Sequence, residues 1–297
     1  ANAINNLAVL YKEVGRDSEA LALYQEALDI RVEGLGENHP DVANSLNATA
    51  SLHQTQGRYE EAETGYYRAL NIYKEQLGEN HPSVANLLNN LSTFFLERGD
   101  IEQAIEKLEL GLAIEEFHLS SNFAYLSDIQ RQAYIETISA TTDYAVSLNV
   151  DRASSSIDSR KAALNTLLRR KGRILGAGVR IFETLRQNLT SEDQNILDQL
   201  VEKRQQLSSL VFDPPPIASY EEYRELVAQL EMESVDLESK LARRSAAFRS
   251  ELSSIDIDDI QSVLPRNSVL VEYVRFRSVN EDEEDYLYAA YILFPDG

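Results

Sequence analysis

The sequence predicts a mostly α-helical protein, in which an α-α superhelix leads into long connector helices and then into a β-hairpin that begins an α/β domain. Three observations support this fold class. The motif Gly-Glu-Asn-His-Pro occurs at residues 36–40 and again at 78–82, a period of 42 residues. Helical patterning continues after the period ends near residue 117, and two runs rich in β-branched and aromatic residues follow Pro265. A fixed period of this size is typical of solenoids, whose units bury their apolar faces against one another.

The plan of one period is a pair of helices. Pro40 stands at a helix start, where its missing N–H costs little. Gly57 ends that helix, because glycine tolerates the left-handed cap conformation. A second helix is predicted from Tyr59 to just before Gly78. The next period repeats this plan, with helices predicted over 82–97 and 101–116.

The composition excludes several functional classes. The net charge of −21 argues against nucleic acid or an anionic membrane as the main partner, because phosphate binding needs a basic face. The sequence has no cysteine, which excludes disulfides and thiolate sites, and its four histidines are scattered. No apolar run reaches the roughly 18–20 residues of a membrane span. We therefore expect no metal, no cofactor, no membrane and no nucleic acid, and a cytoplasmic location.

Small and bulky residues recur at fixed spacing in the first period, namely at Ala8, Tyr11, Gly15, Ala20, Tyr24 and Ala27. This pattern resembles the tetratricopeptide repeat (TPR), and the 42-residue period with Gly-x-x-His-Pro is similar to the subtype in kinesin light chains and many bacterial repeat proteins. The resemblance covers residues 1–117 and implies a solenoid that binds a protein or peptide in its groove. In the third repeat Leu108 replaces the tyrosine and Gly111 an alanine, which favours a last repeat that packs on something different.

Helices without the 42-residue period are predicted over residues 118–264, which we expect to form a connector. They cover 128–148, 158–187, 190–210 and 220–251. The last of them carries a stripe of leucines at 226, 230, 237 and 241. Helices of this length usually pair as antiparallel arms. Three consecutive prolines at 214–216 indicate a stiff linker.

Residues 265–297 contain the predicted hairpin. The runs 268–276 and 286–294 are rich in Val, Leu and Tyr and predict two strands, which an acidic stretch separates. A lone hairpin is marginal in water and leaves open edges. Ala1 aligns with positions inside the first helix of the later repeats. We therefore expect that the chain is cut at both ends.

The connector and hairpin together resemble the lead-in to a CHAT domain. The segments that carry this resemblance are Leu167–Arg173, Tyr220–Glu251, Ile260–Pro265, Leu270–Val274 and Tyr288–Leu293. CHAT domains are caspase-like cysteine-peptidase folds attached to TPRs, mostly in bacteria. The resemblance implies a CHAT domain that follows in cis. The catalytic His and Cys of that family lie further along its sheet, so no catalytic residue is assigned and this chain alone is expected to be inactive.

Two columns of asparagines are the candidate peptide-binding site. The columns recur with the repeat, as Asn2, Asn44 and Asn86 and as Asn5, Asn47 and Asn89. Residues three apart share a helix face, and the TPR pattern places these positions in the groove. An asparagine amide both donates and accepts hydrogen bonds, so a ladder of them suits a peptide backbone of any sequence. The alternative interpretation is that these side chains bond helix to helix within the solenoid.

Three further motifs have an ordinary structural interpretation. His39 and His81 lie one repeat apart before proline and are predicted to fix their loops by hydrogen bonds rather than to bind metal. The basic run Arg169, Arg170, Lys171 and Arg173 is predicted to dock on an acidic part of the same protein or to be solvated. The acidic loop 281–285 lacks the spacing of a calcium loop and is predicted to be a solvated hairpin tip.

These observations favour one function and leave two alternatives. The expected function is the regulatory portion of a bacterial TPR-CHAT cysteine peptidase, in which peptide binding shifts the connector between two arrangements. A pure TPR adaptor without a catalytic partner is the first alternative. A degenerate CHAT protein kept as a scaffold is the second.

Overall fold

The 42-residue repeat folds as successive pairs of helices joined by tight turns. The computed structural model describes residues 1–122, 128–176, 189–212, 219–244, 256–278 and 286–295. The repeat helices are α1 (Asn2–Glu13), α2 (Asp17–Leu35), α3 (Pro40–Thr55), α4 (Tyr59–Leu77), α5 (Pro82–Glu97) and α6 (Ile101–Asn122). The predicted helices of the second and third repeats are confirmed, except that α6 runs past its predicted end at residue 116.

Glycine forms the turn within each repeat. Gly57 has a φ of +71°, a left-handed conformation that side chains disfavour. Its N–H donates to Gln54 O at 2.9 Å, and the next N–H, of Arg58, donates to His53 O at 2.8 Å. These two bonds satisfy carbonyls at the end of α3. Gly15 and Gly99 have the same conformation one repeat earlier and later.

Small side chains lie where the helices of a repeat meet. Ala50, Ala62 and Ala69 are all at most 1% exposed, as the sequence predicted. A Cβ placed on Gly65 would lie 3.0 Å from the Cβ of Ala50, so α3 and α4 pack almost backbone to backbone. Tyr66 fills the space beside them, and its hydroxyl donates to Gln54 Oε1 at 2.7 Å.

Five further α-helices follow the repeats in the part of the chain that the structure describes. They are α7 (Asp128–Ser147), α8 (Ile157–Gly176), α9 (Ser191–Phe212), α10 (Tyr220–Arg244) and α11 (Ile257–Val263). The predicted helix over 128–148 is confirmed to within one residue. A π-helical turn covers Leu148–Arg152, because the N–H of Ala153 bonds to the carbonyl of Leu148 five residues earlier. The predicted ends of α8 near 187 and of α10 near 251, and the proline linker at 214–216, lie outside the described residues.

Helices α9 and α10 pair in antiparallel fashion, as predicted. Lys203 contacts Glu233 at 2.7 Å, and Arg204 contacts Glu238 at 2.6 Å. Arg244, at the end of α10, pairs with acidic residues at the start of α9. The start of α9 therefore meets the end of α10, whereas residues further along α9 meet earlier residues of α10. Buried leucines 197, 200 and 241 lie between the two helices.

The predicted leucine stripe of α10 is confirmed except at Leu226. Leu241 is buried and Leu230 is 5% exposed, but Leu226 is 41% exposed. The buried positions before Leu230 are Tyr223 and Val227. Tyr223, Val227 and Leu230 are separated by four and then three residues, which places them on one face of the helix. Leu226 comes one residue before Val227 and therefore lies beside this face rather than on it.

The hairpin consists of β1 (Leu270–Arg277) and β2 (Tyr286–Leu293), which pair antiparallel with Leu270 opposite Leu293. Its strands confirm the two predicted runs within one or two residues. Alternate side chains on one face, including Phe276 and Tyr291, pack in a core with Leu164 and Leu167 of α8 and with Ile257. The Tyr291 hydroxyl also donates to Asn149 Oδ1 at 3.1 Å. This face is therefore covered by connector helices.

Two compact units divide the chain in a way that the sequence did not indicate. The first comprises Ala1–Ile114 and Asp213–Gln229, and the second comprises Glu115–Phe212 and Leu230–Gly297. The first turns of α10 therefore belong to the unit that contains the repeats. The predicted division into residues 1–117, 118–264 and 265–297 stays a prediction.

A buried ion pair anchors α8 in the second unit. The Arg170 guanidinium contacts the Glu115 carboxylate, and both residues are 8% exposed. Arg170 also donates to the carbonyl of Ile138, and Thr141 donates to Glu115 at 2.9 Å. For Arg170, the prediction that the basic run docks on an acidic part of the same protein is confirmed. The side chains of Lys171 and Arg173 lie outside the described residues.

Removing the carboxylate of this pair should destabilise the second unit strongly. Glu115→Ala leaves the Arg170 charge buried without its counter-ion, which costs about 3–5 kcal/mol. Glu106→Ala is the matched control on the same helix, because Glu106 forms an exposed pair with Lys107 worth at most about 1 kcal/mol. Urea unfolding followed by circular dichroism measures both. Equal free energies of unfolding for the two variants would contradict this role of the pair.

Candidate functional site

The two predicted asparagine columns lie on α1, α3 and α5, the first helices of the three repeats. Side chains connect these helices directly. Lys12 Nζ on α1 donates to Ser51 Oγ on α3 at 3.1 Å, and Asn90 Nδ2 on α5 donates to Asn47 Oδ1 at 3.0 Å. The first helices of neighbouring repeats are therefore adjacent, and the structure brings the columns together on one layer. We call the six asparagines the asparagine face.

The first column is exposed, and in its first two members the side-chain oxygen is held by the second helix of the same repeat. Asn2 Oδ1 accepts from Arg31 Nη2 at 2.9 Å, and Asn44 Oδ1 accepts from the Tyr73 hydroxyl at 2.5 Å. Arg31 and Tyr73 are themselves one period apart, so the same bond recurs with a different donor. Burial raises the pKa of Tyr73 to about 12, which keeps this hydroxyl protonated as a donor.

Asn86, the third member of this column, is also exposed. The position equivalent to Arg31 and Tyr73 in its repeat is Glu115, which pairs with Arg170 in the second unit. A carboxylate cannot donate a hydrogen bond as arginine and tyrosine do. The third repeat therefore departs from the pattern at the position where the solenoid gives way to the connector.

The second column is partly buried. Its member Asn47 accepts the bond from Asn90 on the next repeat. A Cβ on Gly111 would lie only 2.5 Å from Asn89 Oδ1, so the glycine makes room for the Asn89 side chain. This explains why Gly111 stands where the earlier repeats have alanine. Asn5 is partly buried on α1.

These bonds leave a defined set of hydrogen-bonding groups at the asparagine face. Arginine has no acceptor, so the Asn2 atom that faces Arg31 must be the oxygen. In three of the six asparagines the oxygen accepts from another side chain. The structural interpretation therefore holds for the oxygens of Asn2, Asn44 and Asn47. Peptide binding by the asparagine face stays a prediction. Because three of the side-chain oxygens are already bonded, the groups left for a peptide are mainly the amide N–H donors.

The two loop histidines cap helices, as predicted. His39 Nδ1 accepts from the N–H of Asp41 at 3.0 Å, and His81 Nδ1 accepts from the N–H of Ser83 at 3.1 Å. Each bond satisfies one of the unpaired backbone donors at the start of α3 or α5. Among the described residues, no group of three or more His, Cys, Asp or Glu could hold a metal ion. The acidic loop 281–285 lies outside those residues.

A contact that the sequence did not predict lies beside these histidines. The ring of Tyr220 meets the ring of His39 at a centroid distance of 4.8 Å, and Tyr223 meets His81 at 6.5 Å. Both pairs have edge-to-face geometry. The sequence shows only that two tyrosines stand three residues apart at the start of a predicted helix. That spacing identifies a helix face but not the surface it covers.

The cap can be tested apart from the ring. His39→Ala removes the acceptor for the Asp41 N–H and should destabilise the solenoid by about 1 kcal/mol. His39→Asn supplies another good capping side chain and should recover most of that loss. Thermal unfolding by circular dichroism compares the two. Identical melting temperatures for His39→Ala and the unmodified chain would show that the cap contributes nothing.

A tetratricopeptide repeat family model matches residues 1–75 and 50–116. Among solved structures, the chain is similar to BtubC (BKLC) from P. vanneervenii, at 25% identity over 54% of this chain and 61% of that one, with a TM-score of 0.38. A putative kinesin light chain from Podosopora anserina with nearly identical TPR-like repeats matches at 19% identity over 79% of this chain and 95% of that one, with a TM-score of 0.42. A point variant of that Podosopora protein matches at 18% identity over 82% and 96%, with a TM-score of 0.41.

No curated protein matches the chain. None of the helices in the described residues is both long and apolar enough to cross a membrane. The family match covers the same residues as the 42-residue period and agrees with the helix pairs that the structure has there. Residues 1–116 therefore match the tetratricopeptide repeat both in sequence and in their paired helices.

Proposed function

We propose that the protein is a protein-binding scaffold whose TPR solenoid holds an extended peptide segment against the asparagine face. Tetratricopeptide repeats suggest protein–protein interaction, which is the general part of this proposal. Its specific part is the position of the peptide on α1, α3 and α5. A cytoplasmic location is also part of the proposal.

The repeated fixation of the asparagine oxygens is the observation that supports this position. Arg31, Tyr73 and Asn90 hold the oxygens of Asn2, Asn44 and Asn47. An amide held in this way has little rotational freedom left to lose on binding. Its N–H groups would donate to the carbonyls of a peptide backbone, which every sequence has. The face therefore suits an extended segment whose sequence is read by other side chains.

The expected affinity is modest. Each hydrogen bond contributes about 0.5–1.5 kcal/mol, whereas micromolar binding needs about 8 kcal/mol. The asparagines alone reach that value only if nearly all of them bond well. The chain is also acidic, which favours a peptide with basic side chains. We therefore expect micromolar binding in which side-chain contacts supply the selectivity.

A finer proposal is that this binding regulates a peptidase. The resemblance to the lead-in of a CHAT domain suggests it, and the contacts of the second unit support a mechanical role for α8. Arg170 ties α8 to Glu115 near the end of the last repeat helix, and Leu164 and Leu167 of the same helix pack under the hairpin. A helix bonded at one point to a repeat helix and at another to a sheet is suited to transmit a shift.

A TPR adaptor without a catalytic partner is equally supported. It would use the same asparagine face and would regulate no peptidase. The coding sequence beyond Gly297 separates the two. Strands that carry a His and a Cys would support the peptidase regulator. Their absence would leave the adaptor.

Peptide binding by the asparagine face has a matched control within the chain. A peptide selected from a displayed library of random twelve-residue sequences serves as the probe. Asn47→Ala should weaken its binding about 2- to 10-fold, because one donor to the peptide is lost. Asn90→Ala removes the same internal Asn47–Asn90 bond but leaves the Asn47 amide in place, and it should change affinity far less.

Fluorescence anisotropy measures these affinities, and thermal unfolding checks that both variants are folded. Equal losses for Asn47→Ala and Asn90→Ala would mean that the internal bond, not peptide contact, is what matters. A larger loss of melting temperature for Asn47→Ala than for Asn90→Ala would favour a purely structural role. Either result would overturn the assignment of the face.

A further inference from the structure

The loops between repeats carry a second surface, and part of this chain covers it. The histidines that begin α3 and α5 stand one repeat apart. They meet two tyrosines that stand three residues apart on α10. Tyr223 is 5% exposed and Val227 is 7% exposed. The first turns of α10 are therefore packed within the repeat-containing unit. We call the surface formed by His39, Asp41 and His81 the histidine edge.

The histidines do more at this edge than capping requires. An asparagine or serine caps a helix at least as well as histidine. Neither has a ring that could meet a tyrosine edge to face. The bond from Nδ1 to the backbone N–H also fixes the orientation of each ring before anything docks on it. A surface of oriented rings loses little entropy when a helix packs against it.

The environment of Tyr220 supports the contact. Burial and, to a smaller extent, the Asp41 carboxylate raise the pKa of Tyr220. The Tyr220 ring packs on the His39 ring, and the tyrosine also lies near the Asp41 carboxylate. Tyr220 is therefore placed beside two of the three residues that form the histidine edge. Glu222 and Glu225, on the opposite side of this segment, are exposed. Only one face of the helix is therefore used.

We propose that the histidine edge is a docking site for an amphipathic helix with aromatic side chains at positions i and i+3 and an aliphatic one at i+7, and that residues 220–229 occupy it in cis. A partner helix with this pattern would have to displace them. This surface uses neither asparagine column and does not depend on the proposed peptide binding. The two meet only at Asp41, whose carboxylate also lies 3.4 Å from Asn44 Nδ2.

The site can be tested by binding a separate peptide to a chain whose own segment 220–229 has lost its tyrosine contacts. The probe is a fluorescein-labelled peptide of residues 219–231, and the protein is the full chain with Tyr220→Ala and Tyr223→Ala. The variant should bind the peptide at least about tenfold tighter than the unmodified chain does, because a tethered segment competes at high effective concentration. The same peptide with both tyrosines replaced by alanine should not bind. Adding His39→Asn and His81→Asn to the variant should abolish binding, because asparagine keeps both helix caps but has no ring for the tyrosines to meet.

Hydrogen exchange gives an independent measurement, because a peptide of this length has little helix of its own. In the otherwise unmodified chain, His39→Asn with His81→Asn should speed amide exchange in residues 223–229 about tenfold, as the loss of two aromatic contacts implies. Exchange within α3 and α4 should stay unchanged, which shows that the solenoid is folded. Unchanged exchange in residues 223–229 would overturn the proposal.

The two proposals can fail separately. Asn47→Ala should leave binding of the 219–231 peptide unchanged, and the two histidine substitutions should leave binding of the library-selected peptide unchanged. Loss of 219–231 binding through Asn47→Ala would show that the segment binds the asparagine face instead. That result would overturn the histidine edge and keep the proposed function.

Discussion

The close approach of the two helices within each repeat is the constraint on which the solenoid depends. Ala50 and Gly65 bring α3 and α4 together at a distance where no larger side chain fits. Gly65 is particular to this repeat, but buried small residues recur every 42 residues at the positions of Ala50 and Ala62, as Ala8 and Ala20 and as Ser92 and Ala104, so the helices of each repeat meet in a similar way. Everything that repeats along the solenoid, from the capped loops to the asparagine columns, follows from this fixed geometry. A bulkier residue at one such position would alter the spacing of the functional columns as well as the stability of the core.

One periodic position shows how a repeat protein changes function along its length. Arg31, Tyr73 and Glu115 occupy the same place in three repeats. The first two donate to the asparagine on the first helix of the same repeat, and the third forms a buried pair with Arg170 instead. The backbone plan is unchanged, and a single side chain redirects the bond. The last repeat thus ends the ladder and begins the connector without any break in α6.

Much of the fold could be predicted because it depends on local patterns. The period gave the helix pairs, glycine gave the turns, and proline with histidine gave the helix starts. The antiparallel pairing of α9 and α10 followed from their length. The π-helical turn at Leu148–Arg152 and the docking of Tyr220 and Tyr223 could not be predicted in this way. Both depend on contacts between distant parts of the chain, and an amphipathic pattern indicates that a face is buried without indicating what buries it.

The candidate site was predictable in position but not in chemistry. Spacing placed the six asparagines on one layer, yet only the structure shows that Arg31, Tyr73 and Asn90 already engage three of their oxygens. The most direct test of the central claim is an amide spectrum of the chain labelled with ¹⁵N on asparagine, recorded while a library-selected peptide is added. The account predicts that the side-chain N–H signals of Asn47 and Asn86 shift, while that of the exposed Asn195 on α9 does not. Shifts that spare Asn47 and Asn86 would contradict it.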